Sequence, residues 1–211
     1  MMMADKLIAV ASKEVGVCEP SGDDKYTKWY NAQNGTSFAM NTPWCCIFVS
    51  WCANKAGVPT SIIKYFASCT QMTNWFISKG LYKKRGEYTP RSGEIIMYDW
   101  DYSGDSDHVG IVESVENGYA VVIEGNYSKC VKRRRVNLSS SNVRGFCIPD
   151  FPSGDMNNDG KLTASDANTI LQAAVKKITL SAEQKKDADV DGDGKISASD
   201  AMDVLKNSTK K

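Results

Sequence analysis

Histidine is almost absent from this chain: one, His108, in 211 residues. Within a single copy that excludes any site built from two or three imidazoles, such as a histidine-rich zinc centre. A charge excess is missing too, since 26 basic side chains stand against 25 acidic ones. Nucleic acids and anionic membrane surfaces call for a strong basic surplus, so neither partner is expected. No stretch approaches the roughly 20 apolar residues of a membrane-spanning helix, and no membrane span is expected. The first apolar run, Leu7 to Ala11, is short and follows Asp5 and Lys6, unlike a secretory signal peptide. The repeated Met1-Met2-Met3 is an odd native start and points to a trimmed or altered N-terminus. Apolar residues are not scarce: at 42% they suffice for packed cores and exclude general disorder.

The composition divides near Asp150. Residues 1–150 hold all seven cysteines, the histidine and all five tryptophans, with a small basic surplus, whereas residues 151–211 are slightly acidic. Two modules are expected, 1–150 and 151–211. Pro149-Asp150-Phe151-Pro152-Ser153-Gly154 forms the joint, where two prolines and a glycine stop regular structure without making a long tether.

An internal repeat organises the second module. Asp155-Met-Asn157-Asn-Asp159-Gly160-Lys161-Leu-Thr163-Ala-Ser-Asp166 returns 34 residues later as Asp189-Val-Asp191-Gly-Asp193-Gly194-Lys195-Ile-Ser197-Ala-Ser-Asp200. Oxygen donors fall at positions 1, 3, 5 and 12, with a glycine for the bend at 6 and a backbone carbonyl, that of Lys161 or Lys195, at 7. This is the spacing of an EF-hand loop. Thr163 and Ser197, at position 9, suit coordination through water. A cage of many oxygens without thiolate or imidazole fits a hard cation, so two structural calcium ions are expected. Each loop ends in Asp where an EF-hand usually has Glu, and a helix is expected after each, Ser165 to Lys176 and Ser199 to Asn207. Duplicated loop-helix units ending in Asp resemble the type I dockerins over residues 154–208. The resemblance implies a small all-α calcium-binding module that plugs into a cohesin on a scaffoldin or cell surface. It also implies contacts at loop positions 10 and 11, here Ala164-Ser165 and Ala198-Ser199, as two near-equivalent faces.

In the first module, a helical stripe over Leu7, Val10, Ala11, Glu14 and Val15 ends near Gly16. A second runs from Cys45, behind Pro43-Trp44, with positions 45, 48, 49, 52 and 56 on one face and Gly57 as the stop. A third is expected over Ser68 to Ser78. After Pro90 the period becomes two: 94–99, 108–115, 119–124 and 143–148 read as strands, and Glu116-Asn117-Gly118 turns a hairpin. Helices followed by an antiparallel meander make this module α+β.

Rare residues fall where chemistry would place them. Cys45 sits in a first helical turn, where free N–H groups and the dipole favour a thiolate. His108 opens a strand, and a hairpin centred on Asn117 brings residues near 108 to the end occupied by Glu124 and Asn126. Either could orient the imidazole, which gives the order nucleophile, base, orienter. Trp44-Cys45 with Phe48-Val49-Ser50-Trp51, then Ser92-Gly93-Glu94-Ile95-Ile96, then His108-Val109-Gly110-Ile111-Val112 and Ile123-Glu124-Gly125-Asn126-Tyr127-Ser128 resemble the CHAP domain, a cysteine- and histidine-dependent amidohydrolase/peptidase, over about residues 5–150. Two departures are Cys46, where the family has a small residue, and Glu94, where it often has Asp. The resemblance implies a papain-like fold and amide hydrolysis in peptidoglycan, by an endopeptidase or an N-acetylmuramoyl-L-alanine amidase. It makes Cys45 the nucleophile, His108 the base and then acid, Glu124 the orienter and Asn126 a second support, with no metal for catalysis. A secreted protein is then expected. A catalytically inactive wall-binding module on a dockerin and a phage-type endolysin are the alternatives.

Other cysteines and charges admit blander roles. Cys46 and Cys52 read as packing. Cys18, Cys69, Cys130 and Cys147 are disulfide candidates with no pairing fixed by sequence. Asp99, Asp101, Asp105 and Asp107 read as solvated loop charges or a minor cation site, and Lys132 to Arg135 as a solvated strand face.

Overall fold

The computed structural model describes residues 1–19 and 25–209. They form two compact units: Leu7–Asp150, and the residues from Phe151 on together with Met1–Lys6. The first six residues join the second unit through a Met3 N–H to Val190 carbonyl bond of 2.8 Å and Lys6 Nζ donating to the Asp191 carbonyl at 2.6 Å.

In the larger unit, helices α1 (Met3–Lys13, from Leu7 on), α2 (Lys25–Asn34), α3 (Cys45–Lys55) and α4 (Cys69–Ser78) precede six strands: β1 (Tyr82–Lys84), β2 (Ile95–Tyr98), β3 (His108–Glu116), β4 (Tyr119–Tyr127), β5 (Cys130–Asn137) and β6 (Val143–Cys147). The strands form one antiparallel sheet in the order β1-β6-β2-β3-β4-β5, and its hydrophobic cluster is built on Ile96, Tyr98, Val112, Val122, Val136 and Phe146. The α+β reading holds for this unit.

Helix α3 departs from the one-face pattern. Cys45 through Ser50, then Cys52 and Ala53, are all buried, because a run as apolar as Cys-Cys-Ile-Phe-Val has no wet side to offer and takes the centre of the unit. It lies against β3 and β4. The close approach has a specific cause at Gly125, where a Cβ would stand 2.4 Å from Phe48 Cβ and 2.6 Å from its Cγ. Glycine there lets the helix, and hence Cys45 one turn before Phe48, reach the sheet. Gly125→Ala is expected to cost about 3 kcal/mol by overpacking and to lower activity tenfold or more by displacing α3. The urea midpoint followed by tryptophan fluorescence, beside a rate assay, checks both.

The hairpin between β3 and β4 turns on Asn117 and Gly118, both at positive φ (51° and 79°), as a tight two-residue turn requires. Pairing begins at Glu116↔Tyr119 and Ser114↔Val121, but past a bulge between Val112 and Ser114 it becomes Val112↔Val122 and Ile111↔Ile123. That one-residue shift puts Gly110, not Ile111, level with Glu124. It keeps the Glu124 side chain on the face that carries Tyr98 and His108, which are themselves cross-strand partners.

Of the disulfide candidates, Cys18 and Cys130 are bonded, while Cys69 and Cys147 are free and buried. The expectation of a disulfide for those two is corrected: each packs inside the core.

The second unit is all-α, with α5 (Ala164–Ala174), α6 (Ala182–Ala188) and α7 (Ala198–Ser208). Its core is small, made by Met156, Ala167, Ile170, Leu180, Ala188, Val190, Ala201 and Val204. Thr163 and Ser197 cap α5 and α7 in matching capping boxes. No described helix is long and apolar enough to cross a membrane.

Candidate functional site

Cys45 is the first residue of α3, and its N-cap Trp44 offers no side-chain hydrogen bond to the helix. The first backbone N–H groups therefore keep their donor capacity beside the thiol. Trp44 is pinned by stacking on Tyr26 at 5.0 Å and by its indole N–H, which donates to Glu19. The Cys45 thiol is 96% removed from solvent and 3.6 Å from the Cys69 sulfur, and it lies near enough to His108 for each to shift the other's titration.

His108, at the start of β3, is 96% buried. Its ring stacks on Trp100 at 4.7 Å and packs near Tyr98 and, edge-on, Tyr127. The imidazole Nε2 makes no well-directed hydrogen bond; the facing acceptor is Glu124 Oε2 at 3.4 Å. Glu124 is fully buried. Tyr98 Oη donates to its Oε1 at 2.5 Å and Arg134 Nη1 to its Oε2 at 2.8 Å. Gly110 leaves the path open, since a Cβ there would stand 2.8 Å from Glu124 Cγ.

These neighbours set the charges. Burial works against the His108 cation, yet Cys45 and Glu124 outweigh it and raise the pKa to about 9. Burial likewise opposes the Glu124 anion, and the charge of the nearby His108 with the hydrogen bonds from Tyr98 and Arg134 outweighs it, leaving the carboxyl below its usual range. Contact with Cys69 and burial hold the Cys45 thiol well above its usual range, against the pull of His108. Thiol and imidazole thus titrate as a pair. Because the folded His108 pKa lies above its unfolded value, the imidazolium stabilises the fold fully below about pH 6.5 and loses that effect as pH rises through about 9. Glu124, lowered on folding, contributes above about pH 4.5 and loses its effect as pH falls. The larger unit should therefore weaken steadily between pH 6.5 and 9, and Glu124→Gln should flatten that slope. Urea melts read by tryptophan fluorescence report this unit alone, since it holds all five tryptophans; an equal slope in both proteins would contradict the coupling.

Of the four residues expected to act together, Cys45, His108 and Glu124 meet. Asn126 makes no hydrogen bond to His108 among the described residues. A second bulge of β4, between Glu124 and Tyr127, carries it to φ 57°, and it lines a cavity of about 490 Å³ with Trp100, Tyr127, Ser128, Arg134 and Asn142.

One charge reading is corrected and the other holds, since Asp101, Asp105 and Asp107 are exposed loop charges. The Lys132–Arg135 run is not merely solvated: Arg134 reaches Glu124, and Arg133 makes two hydrogen bonds to Glu113 at 2.5 and 2.8 Å. The aspartates before His108 order their loop: Asp107 Oδ2 accepts from the Trp100 N–H at 2.6 Å, and Asp99 Oδ2 accepts from the Gly104 N–H at 3.0 Å. That loop holds Trp100 over the imidazole. Asp99, Asp101 and Asp107 bring carboxylate oxygens within 4.8 Å of one another. Tyr98, Trp100, Arg134 and Cys69 gave no signal of a role at this site in sequence, because each acts through a partner that only the fold brings beside it. Glu94 is buried apart from this site, bonded to Tyr88 Oη and the Arg91 N–H.

In the second unit the two loops repeat the same bonds. The Gly160 and Gly194 N–H groups donate to Asp155 and Asp189 at 2.8 and 2.9 Å, and the Lys161 and Lys195 N–H groups to Asp159 and Asp193 at 2.9 and 2.8 Å. Asp189, Asp191 and Asp193 bring one oxygen each within 4.8 Å of the others, an all-oxygen set that fits a hard cation. In the first loop Asn157 stands where the second has Asp191 and donates to Asp159 at 3.0 Å. The position-12 residues Asp166 and Asp200 are buried and serve the capping boxes, accepting from Thr163 and Ser197 N–H groups at 2.9 Å. Ala164, Ser165, Ala198 and Ser199 are exposed at the starts of α5 and α7.

Residues 37–126 match the family model described as CHAP domain, and residues 153–207 the one described as Dockerin type I domain. No curated protein matches the chain. Among solved structures it is similar to the crystal structure of Ly7917, at 17% identity and a TM-score of 0.44, over 69% of this chain and 62% of that one. It is also similar to the crystal structure of Ly7917 with the hydrolyzing product of MDP, at 16% identity and 0.43, over 70% and 63%. The chain spans less than two thirds of the length of those structures.

Proposed function

We propose that this chain, which carries an N-terminal CHAP domain followed by a C-terminal type I dockerin domain, is an exported cysteine hydrolase that cuts an amide bond of bacterial peptidoglycan while docked to a cohesin. The single observation that carries the hydrolytic reading is the meeting of a thiol at a helix start, a buried imidazole and a buried carboxylate.

Cys45 gives its proton to His108 and attacks the scissile carbonyl. The backbone N–H groups at the start of α3 receive the developing oxyanion. The imidazolium then protonates the leaving amine, and a water activated by His108 hydrolyses the thioester. Glu124 holds the imidazole and supports its charge. Asn126 lines the neighbouring cavity, where an amide suits contact with substrate rather than with the ring. The bond cut is in a stem peptide or cross-bridge, or joins N-acetylmuramic acid to L-alanine.

The second unit takes two structural calcium ions, one on Asp155, Asn157, Asp159, Asp166 and the Lys161 carbonyl, the other on Asp189, Asp191, Asp193, Asp200 and the Lys195 carbonyl. Cohesin contact falls on Ala164-Ser165 or Ala198-Ser199. The exposed Leu171 and Leu205, 34 residues apart like the loops, extend each face along its helix. Export is supported by the Cys18–Cys130 disulfide, a bond suited to an oxidising compartment.

The test uses purified cell walls. Incubation with the protein is expected to release new amino groups in step with loss of turbidity and without new reducing ends. New reducing ends in place of amines would mean glycan cleavage and sink the reading; neither product would leave a wall-binding protein.

A further inference from the structure

A carboxylate taken wholly out of water costs several kcal/mol unless charge and hydrogen bonds replace its hydration. Glu124 meets that demand through partners on two strands. Its Oε1 accepts from Tyr98 Oη on β2, and its Oε2 accepts from Arg134 Nη1 on β5, leaving Oε2 3.4 Å from the imidazole Nε2. Arg134 is itself positioned: its guanidinium lies 3.9 Å from the centre of the Tyr127 ring, and the Val122↔Arg134 pairing sets its height on the sheet. Its neighbours in the basic run do other work, Arg133 on Glu113 and Arg135 over Tyr119 at 3.6 Å. Only Arg134 of the three arginines reaches the carboxylate.

We infer that Arg134 is a positioning residue for the hydrolysis: its guanidinium keeps the buried Glu124 ionised and fixes Oε2 against His108, so that the imidazole can carry the proton taken from Cys45. The inference rests on the proposed catalytic set of Cys45, His108 and Glu124. Without the guanidinium, Glu124 faces Tyr98, Tyr127 and His108, with Lys132 as its cross-strand partner. Lys132 Nζ sits 5.6 Å from the ring centre of Tyr127, which lies on β4 like Glu124. A carboxyl so placed takes up a proton, and a neutral acid no longer supports an imidazolium. The thiol side adds no cation to replace the loss, since Cys45 is faced by Cys69 and His108, with Cys46 beside it and Asp107 acting on Cys69.

The experiment follows alkylation of Cys45 by iodoacetamide against pH, with peptide mass mapping to assign the label, in the native full chain and in Arg134→Met. Native tryptophan emission certifies the fold of each. Arg134→Met is expected to slow Cys45 labelling at pH 7 tenfold or more, to move the acid midpoint up by about one pH unit, and to reduce amine release in proportion. Arg134→Lys, which keeps the charge but not the fork, should recover part of both. A folded Arg134→Met with the native midpoint overturns the inference. If that variant does not fold, Arg134→Gln, which keeps a donor and drops the charge, is read the same way, and a native midpoint there overturns it equally. Failure of the underlying reading looks different: the native chain would then label at Cys45 as proposed yet release no amine, or would not label there at all.

Discussion

Cys45→Ala is expected to lower amine release from cell walls by at least about 10⁴-fold while leaving the melting of the larger unit within about 1–2 kcal/mol of native. The rate effect is large because the proposed acyl transfer has no second route: the sulfur is the atom that bonds to the carbonyl, and an alanine methyl cannot. The stability effect is small because one buried sulfur is lost from a helix whose neighbours, Cys46 to Ser50, stay packed. Cys46→Ala is the matched control. Its side chain is also fully buried next in the helix, but burial alone, with its thiol neighbours, sets its ionisation, and no imidazole acts on it. It should keep near-native activity. A Cys45→Ala protein that works at a tenth of the native rate would move the nucleophile elsewhere.

The second large effect lies in the C-terminal unit. Its core of eight buried residues is small, and three carboxylates converge within 4.8 Å in the second loop. Without a cation they repel. With calcium bound to the folded form alone, each site adds about 2.7 kcal/mol at a hundredfold excess over its Kd, enough to decide whether a unit of this size folds. EDTA is therefore expected to remove much of the helical circular dichroism of α5, α6 and α7 and to abolish cohesin capture, with calcium restoring both. Tryptophan emission should not change, because no tryptophan lies beyond residue 150. An unaltered spectrum in EDTA would contradict both loops.

What could be read in advance follows from how local each signal was. The two acidic loops are written in consecutive residues, and the matching bonds at Gly160 and Gly194 follow from that spacing. Cys45 was legible from Pro43, Trp44 and the apolar run behind it, and His108 from its singularity. The hairpin was read as centred on Asn117, which pairs 108 with 126; a two-residue turn at Asn117-Gly118 would pair 108 with 127, and only the bulge at Glu113 brings the His108 end back into line. The second bulge, which turns Asn126 toward the cavity, has no counterpart in the alternation of the strand. Arg134 looked like one charge among four, since its meaning depends on β5 lying beside β4. Helix α2 was not foreseen, because Lys25–Asn34 is mostly polar and buries only Tyr26, Thr27 and Tyr30.

The claim that Cys45 carries the reaction is tested most directly by titrating the native chain with iodoacetamide and measuring, in the same samples, the fraction of Cys45 labelled and the rate of amine release left. Amine release is expected to fall in proportion as the labelled fraction of Cys45 rises, one active site lost for each Cys45 labelled. Amine release persisting at the native rate with Cys45 fully labelled would contradict it.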